Sequence, residues 1–197
     1  MIPLPSRPEL RRRVPRLLFG LWLFGAGIAF MVASDFGLGP WEVLHQGVSF
    51  HTPIPIGTVG IITGLVVMLL WIPLRERFGL GTVLNVVLIG IVIDVTLIWL
   101  TTPASDVLRW TYLLGGIVAI GVGSGYYIGA GLGPGPRDGL MTALARRGWP
   151  IAVVRTGIEL SVLIGGWLLG GTVGIGTLLF AFGIGPLVQI FLPRLSV

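Results

Sequence analysis

Residues 79–94 read GLGTVLNVVLIGIVID, and residues 174–189, which lie 95 positions later, read GIGTLLFAFGIGPLVQ. The similarity extends outward from this pair, because GLGP occurs at 37–40 and again at 131–134. A repeat whose period is about half of the chain predicts two related structural units. The repeated segments are strongly apolar, and membrane proteins built from two related halves often bind a solute between them.

The composition is that of an integral membrane protein. Of the 197 residues, 54% are apolar and only 11% are charged, and the mean hydropathy is +0.95. All thirteen basic residues are arginine, and they lie at the ends of apolar runs rather than on one solvated face, so nucleic-acid binding is not expected. The chain has no cysteine, which excludes disulfides and thiolate metal sites.

Six segments meet the requirement of about 20 mainly apolar residues for a membrane-spanning helix. They are residues 17–35, 55–73, 80–101, 108–130, 150–170 and 173–192. We therefore predict an all-α membrane protein, with residues 1–197 forming a single membrane domain. It would consist of an Arg-rich cytoplasmic segment (1–16), repeat one (17–101) and repeat two (108–192).

The distribution of arginine predicts the orientation. Eleven arginines fall at the end of the spans that carries both termini, and only Arg109 falls at the other end. Because arginine accumulates in short cytoplasmic loops, both termini are expected in the cytoplasm. Three spans are an odd number, so consecutive repeats would enter the membrane from opposite sides. The sequence thus predicts two inverted three-helix repeats.

A polar insert follows the first span of each repeat, at residues 40–50 and 136–147, and is too short to cross the bilayer. Pro40 and Pro136 suit the first position of a helix, and Glu42 and Asp138 follow near its positive dipole end. Two interpretations remain open. Each insert is either an interfacial helix that its acidic residue stabilises, or a re-entrant helix that gates a pathway or binds substrate.

The first insert has a second pattern. Its helical spacing places Trp41, Leu44 and Val48 on one face and Glu42, His45 and Ser49 on the other. The candidates for a gate are Trp41, Glu42, His45 and, in the second insert, Asp138. A spacing of six between His45 and His51 fits no helical metal-ligand pair, so no metal is expected. Both histidines are expected to face outward, as capping or titrating groups.

Polar residues that occur in only one repeat are the candidates for chemistry, since a polar residue inside a membrane needs a reason to be there. Arg155 and Glu159 align with Gly60 and Gly64, Asn85 with Phe180, and Asp94 with Gln189. We predict Glu159, Arg155, Asn85 and Asp94 as residues of a substrate or ion pathway. The alternatives are that Arg155 extends to the cytoplasmic interface, that Asp94 is hydrated at the outer interface, and that Asn85 forms a hydrogen bond with a neighbouring helix.

Three rows of small residues predict close helix packing, because lipid gives helices no hydrophobic drive to associate. They are Gly25, Ala29 and Ala33 in the first span, Gly121, Gly125 and Gly129 in the fourth, and Gly157, Ser161 and Gly165 in the fifth. Thr82 and Thr177 recur in both repeats, so they are assigned to the scaffold.

The chain resembles the YczE/YyaS/YitT group of bacterial integral membrane proteins. The resemblance rests on SDFGLGPWEVLHQGVS followed by PIGTVGIITGLVVMLLW and GLGTVLNVVLIGIVID, and on GLGPGPRDGLM in the second half. It covers residues 17–192 and implies a location in the bacterial plasma membrane. It carries over no catalytic residue.

The sequence favours a small secondary transporter or exporter of a small solute. The alternative is a non-transporting scaffold or regulatory partner of another membrane protein. No nucleophile and base, paired carboxylates or metal cluster are recognisable, so neither enzymatic activity nor a cofactor is expected. The expected partners are the lipid bilayer and a small-molecule or ion substrate, and a homo-oligomer or a membrane protein partner stays open.

Overall fold

The computed structural model describes residues 2–3 and 5–197, and within them the chain forms eight α-helices. They are α1 (Arg7–Ser34), α2 (Pro40–Phe50), α3 (Ile56–Leu74), α4 (Leu80–Trp99), α5 (Asp106–Gly129), α6 (Pro136–Ala145), α7 (Ile151–Leu168) and α8 (Ile175–Leu195). All except α2 and α6 are long and apolar enough to cross a membrane. These six helices coincide with the six predicted spans to within a few residues, except at the start of α1.

Helix α1 begins ten residues before the predicted span and includes most of the Arg-rich segment. A capping box explains this early start, because the Glu9 carboxylate accepts hydrogen bonds from the Ser6 amide at 3.0 Å and the Ser6 hydroxyl at 2.8 Å. Pro8 occupies the first turn, where its missing N–H costs nothing.

Glycine contacts join α1 and α5 at the centre of the bundle. A Cβ placed on Gly20 would lie 2.8 Å from the carbonyl oxygen of Gly123, and one on Gly27 would lie 2.7 Å from that of Gly116. Residue number rises along one helix as it falls along the other, so the two helices are antiparallel. The absence of side chains lets the backbones touch, which is how helices gain contact energy in lipid. The predicted rows of small residues do not include these four glycines.

The row of glycines on α5 packs as predicted. A Cβ on Gly125 would lie 3.1 Å from Cβ of Phe191, and Gly121 and Gly129 meet Leu187 and Leu195 of the same helix, α8. The row on α7 does not. A Cβ placed on Gly157 would have no atom within 4 Å, and Ser161 is exposed. The prediction of close packing through this row was wrong, because α7 instead contacts α2 through Gly166.

The linkers that precede α2 and α6 make reciprocal contacts with the opposite half of the chain. The Gly176 amide at the start of α8 donates to the Phe36 carbonyl at 2.7 Å, and the Gly81 amide at the start of α4 donates to the Leu132 carbonyl at 2.8 Å. Thr177 and Thr82 cap these two helices by accepting hydrogen bonds from the amides of Gly174 and Gly79. The shared threonines therefore stabilise helix starts, as a scaffold role requires.

Two glycines in these linkers adopt the left-handed conformation that favours glycine, Gly37 at φ 112° and Gly133 at φ 126°. Each lies against the threonine that caps the facing helix. The segment that occupies the place of GLGP 37–40 is consequently GPGP 133–136. The predicted match with 131–134 is therefore two positions out of register, because the turn at Gly37 has its counterpart at Gly133 and not at Gly131.

The arginines gather at one end of the bundle, which we call the Arg-rich end. There Arg16 donates to the Leu195 carbonyl at 2.7 Å, and Arg146 forms an ion pair with Glu76. The hydrogen bond to Glu76 raises the pKa of the Arg146 guanidinium above its usual value. At the opposite end, the Arg109 end, Arg109 donates to the Ser34 carbonyl at 2.8 Å and closes the C-terminus of α1.

Candidate functional site

The two short helices α2 and α6 begin beside each other. The guanidinium of Arg137, the second residue of α6, donates to the Glu42 carboxylate near the start of α2 at 2.8 Å. Its central carbon also lies 4.9 Å from the centre of the Trp41 ring. Glu42 and Asp138 each occupy the first turn, where a carboxylate is favoured by the helix dipole. Two positive helix ends and their acidic residues thus meet in one place.

Helix α2 is buried on nearly all sides. Trp41, Glu42 and His45 are 7%, 5% and 2% exposed, so the two predicted faces are both covered. Helix α2 packs between α3 and α7. The expectation that His45 faces outward was wrong, because the close contact with Gly60 of α3 places the ring inside the bundle. Its Nε2 atom is buried and has no hydrogen-bond partner among the described residues.

His51 behaves as expected. It lies exposed at the end of α2, where its Nδ1 atom is 3.0 Å from the Gly47 carbonyl oxygen and completes the last turn. Among the described residues, no group of three or more His, Cys, Asp or Glu side chains is placed to hold a metal ion.

A cavity of about 450 Å³ adjoins the starts of α2 and α6 and lies between the two halves of the chain. Of the predicted residues, Trp41, Glu42, Asn85, Asp138, Arg155 and Glu159 line it, whereas His45 and Asp94 do not. Its apolar walls include Phe24, Ile89, Phe180 and Ile184. Its size and its apolar lining with a few polar groups are typical of small-molecule sites.

Five charged side chains line this cavity, and four of them form two ion pairs. Arg137 pairs with Glu42 at 2.8 Å, and Arg155 pairs with Glu159 one helical turn away at 3.0 Å. The fifth, Asp138, accepts a hydrogen bond from the Tyr127 hydroxyl at 3.2 Å. It has no ion-pair partner among the described residues. Asp138 is exposed, and it is one of the residues that line the cavity.

The polar groups beside Asp138 converge on Gly135, the residue that precedes α6. A Cβ placed there would lie 3.0 Å from the Tyr127 hydroxyl, 3.4 Å from an Asp138 carboxylate oxygen and 3.7 Å from the Asn85 amide nitrogen. The corresponding position before α2 is Gly39. A Cβ placed on Gly39 would lie 2.7 Å from a Glu42 carboxylate oxygen and 2.9 Å from the Phe180 ring. The two short helices thus present different chemistry to the cavity.

Asp94 serves the packing of α3 on α4. Its carboxylate accepts hydrogen bonds from the Gly57 amide at 2.6 Å, the Thr58 amide at 2.8 Å and the Thr58 hydroxyl at 2.7 Å. It therefore caps the start of α3 from a neighbouring helix. Helices α3 and α4 remain in close contact beyond this cap. Gly57 meets the Gly90 carbonyl, and a Cβ on Gly64 would lie 3.5 Å from Cβ of Val86.

The equivalent pair in the second half, α7 and α8, is not packed in this way. Helix α7 packs against α2 and α6, with no comparable contact to α8 among the described residues, and Gly185 of α8 has no neighbour within 4 Å of a Cβ position. Arg155 and Glu159 occupy the places of Gly60 and Gly64, and Gly64 is the one of these two glycines that lets α3 approach α4, at Val86. The cavity consequently extends between α7 and α8.

Arg137 and Tyr127 are the site residues that the sequence analysis missed. Arg137 is one of the eleven arginines that the sequence analysis assigns to the cytoplasmic end, whereas the structure pairs it with Glu42 beside the cavity. One signal was available. An arginine inside an insert that follows a membrane span needs a carboxylate partner, and the matching insert of the first repeat carries a carboxylate, Glu42.

Six apolar helices and the similarity to a bacterial membrane protein define the class of this protein, a multi-pass membrane protein. Residues 11–193 match a protein family described as a family of unknown function, DUF6198. The chain is 44% identical over 177 residues to an uncharacterized protein of Haemophilus influenzae, an alignment that covers 89% of this chain and 81% of the relative. It is 35% identical over 194 residues to the uncharacterized membrane protein YczE of Bacillus subtilis, covering 95% and 89%.

The chain belongs to this family, and its predicted relationship to the YczE group is confirmed. No solved structure matches it.

Proposed function

We propose that the protein is a small secondary carrier, built from two inverted three-helix repeats, that moves a small solute across the bacterial plasma membrane. Both termini lie in the cytoplasm in this proposal, so the Arg-rich end is the cytoplasmic end. The short helices α2 and α6 re-enter the membrane from opposite sides and meet near its middle. Half-helix ends of this kind commonly line solute sites in secondary transporters.

The reciprocal contacts support the inverted arrangement. Gly20 touches Gly123 as Gly116 touches Gly27, and equivalent positions are 96 positions apart in the sequence. Arg13 donates to the Ala130 carbonyl at 3.5 Å as Arg109 donates to that of Ser34. An approximate two-fold axis between antiparallel helices α1 and α5 would generate both sets of contacts.

One observation carries the proposal: the cavity between the halves is closed by α3 and α4 and open between α7 and α8. The start of α3 lies at the Arg109 end and the start of α7 at the Arg-rich end. In inverted repeats, each half can adopt the helix arrangement of the other half. This exchange changes access to the solute site from one side of the membrane to the other. Closure of α7 onto α8, with release of α3 from α4, would accomplish this exchange.

The absence of cysteine allows a direct test. Ser124, which is 4% exposed and lines the cavity, is changed to cysteine as a reporter. One lock joins α3 to α4 through Gly64→Cys and Val86→Cys, whose Cβ separation of 3.5 Å lies in the range of a disulfide. The other joins the equivalent positions of α7 and α8, through Glu159→Cys and Ala181→Cys.

Each locked protein is then labelled with a membrane-impermeant maleimide in right-side-out and inside-out vesicles. In a carrier with the α3–α4 lock, the reporter cysteine should be labelled only from the cytoplasmic side. With the α7–α8 lock, labelling should come only from the outside, and reduction of either disulfide should restore both routes. The variants with one cysteine of each pair are the matched controls.

A static scaffold predicts a different result. Its α7–α8 pair would not form a disulfide, and the reporter cysteine would be reached from the same side under all conditions. That outcome would overturn the carrier proposal and favour the role of a non-transporting membrane partner.

A further inference from the structure

The charge balance of the cavity indicates what kind of solute it fits. Three carboxylates and two guanidinium groups line it, and the two ion pairs leave Asp138 with no cationic partner among the described residues. A carboxylate exposed to a mainly apolar cavity is costly unless a positive charge accompanies it. The cavity therefore has a place for one positive charge.

The comparison of the two short helices supports this assignment. Both helices present a carboxylate in the first turn. Only Glu42 forms an ion pair, because Arg137, the single arginine within these two helices, contacts Glu42. At the position of Arg137, helix α2 has Trp41, so Asp138 receives no equivalent partner. Its cradle consists instead of the Tyr127 hydroxyl and the Asn85 amide around Gly135.

The surroundings also fit an apolar body. Phe24, Phe180, Ile184 and Val188 line the same cavity as Asp138, and the opening between α7 and α8 adds further apolar wall. A purely inorganic cation would find only one free carboxylate and would leave this wall unused. An anion would meet an unpaired carboxylate.

We propose that the cavity binds a monovalent organic cation, with its charged group against Asp138 and its apolar body along α8. The inference rests on the carrier function proposed above and names the substrate class for that site. Tyr127 orients the carboxylate. The ion pair of Arg155 and Glu159 lines the same cavity and adds no net charge to it.

The test uses two probes of nearly the same shape and opposite charge, tetraphenylphosphonium and tetraphenylborate. Binding to the full chain in detergent is measured by equilibrium dialysis against protein-free micelles. We expect the cation to bind at least about tenfold more tightly than the anion. Asp138→Asn should weaken binding of the cation by about tenfold or more, and Asp138→Glu should restore it.

The matched control is Asp106→Asn, which removes a carboxylate that is 80% exposed in the first turn of α5, away from the cavity. It should leave the affinity for both probes unchanged. The melting temperature of each variant separates loss of the site from loss of the fold. Equal binding of the two ions, no binding of the cation, or unchanged binding in a folded Asp138→Asn protein would overturn the inference.

The failures of the two proposals are distinguishable. If binding of the cation depends on Asp138 but the reporter cysteine is accessible from one side only, the proposed ligand class is supported and the carrier function is contradicted. Alternating access without preference for the cation would do the reverse.

Discussion

The first prediction concerns Asp94, whose carboxylate joins α4 to the start of α3. Asp94→Ala removes all three hydrogen bonds, with donor distances of 2.6, 2.7 and 2.8 Å. Asp94→Asn keeps one acceptor oxygen and removes the charge. If the carboxylate is a cap and not part of a pathway, both changes should act on stability before they act on transport.

The size of the effect follows from the three bonds. A hydrogen bond to a charged group contributes about 1.5–3 kcal/mol, and loss of a helix cap costs about 0.5–2 kcal/mol. The three bonds share one carboxylate, so their contributions are not additive, and water at the Arg109 end replaces part of what is lost. We expect a loss of about 3 kcal/mol for Asp94→Ala and about 1 kcal/mol for Asp94→Asn. For a domain of this size, the larger loss lowers the melting temperature by about 6–12 °C.

The assay is thermal unfolding in detergent, followed by fluorescence-detected size-exclusion chromatography. Asp106→Asn is the control, since an exposed carboxylate near Arg109 should change stability by no more than about 0.5 kcal/mol. Formation of the disulfide between Gly64→Cys and Val86→Cys should also slow in the Asp94→Ala background, because α3 is released from α4. If Asp94→Ala melts with the control and loses only solute flux, the carboxylate belongs to the pathway and the capping argument is refuted.

Three further predictions test the packing and the orientation. Gly139→Ala should destabilise the bundle by about 1–3 kcal/mol. Its Cβ would overlap the Trp71 indole, and a hydrogen bond to the Pro136 carbonyl holds that ring in place. The control, Gly157→Ala, has no neighbour within 4 Å of its Cβ and should be neutral or stabilising in the same melting assay. Gly125→Leu should separate α5 from α8 and abolish monodisperse protein in chromatography, while Gly115→Leu on the open side of α5 should not; equal behaviour of the two variants would contradict the packing. A cysteine at Ser105 should react with an impermeant reagent outside intact cells and cysteines at Ser6 or Ser196 should not, and the opposite pattern would reverse the orientation.

The sequence predicts the spans well because the bilayer imposes a simple length requirement on apolar runs. It also singles out Asn85, Arg155 and Glu159, since a polar residue found in one repeat only is visible by internal comparison. The structure places all three on the cavity wall. Their role in a pathway stays a prediction.

The contacts between distant segments could not be predicted in the same way. The meeting of Gly20 with Gly123 depends on the register of two antiparallel helices, which no periodicity within either helix specifies. The burial of His45 follows from the position of α2 between α3 and α7, and helical spacing alone gave it an outward face. The capping of α3 by Asp94 likewise joins residues 37 positions apart.

The same comparison of the halves separates scaffold from chemistry in physical terms. Two kinds of contact occur twice and belong to the scaffold: the threonine caps inside each half, and the glycine pairs that join α1 of one half to α5 of the other. Where α3 has Gly60 and Gly64, α7 has the much larger residues Arg155 and Glu159. Helix α7 can approach α8 as closely as α3 approaches α4 only if the side chains of Arg155 and Glu159 fit between α7 and α8. Because these two side chains form an ion pair, their charges stay balanced as the cavity becomes smaller. The open side of the cavity is therefore a consequence of the sequence itself, and it lies where the asymmetric charges are.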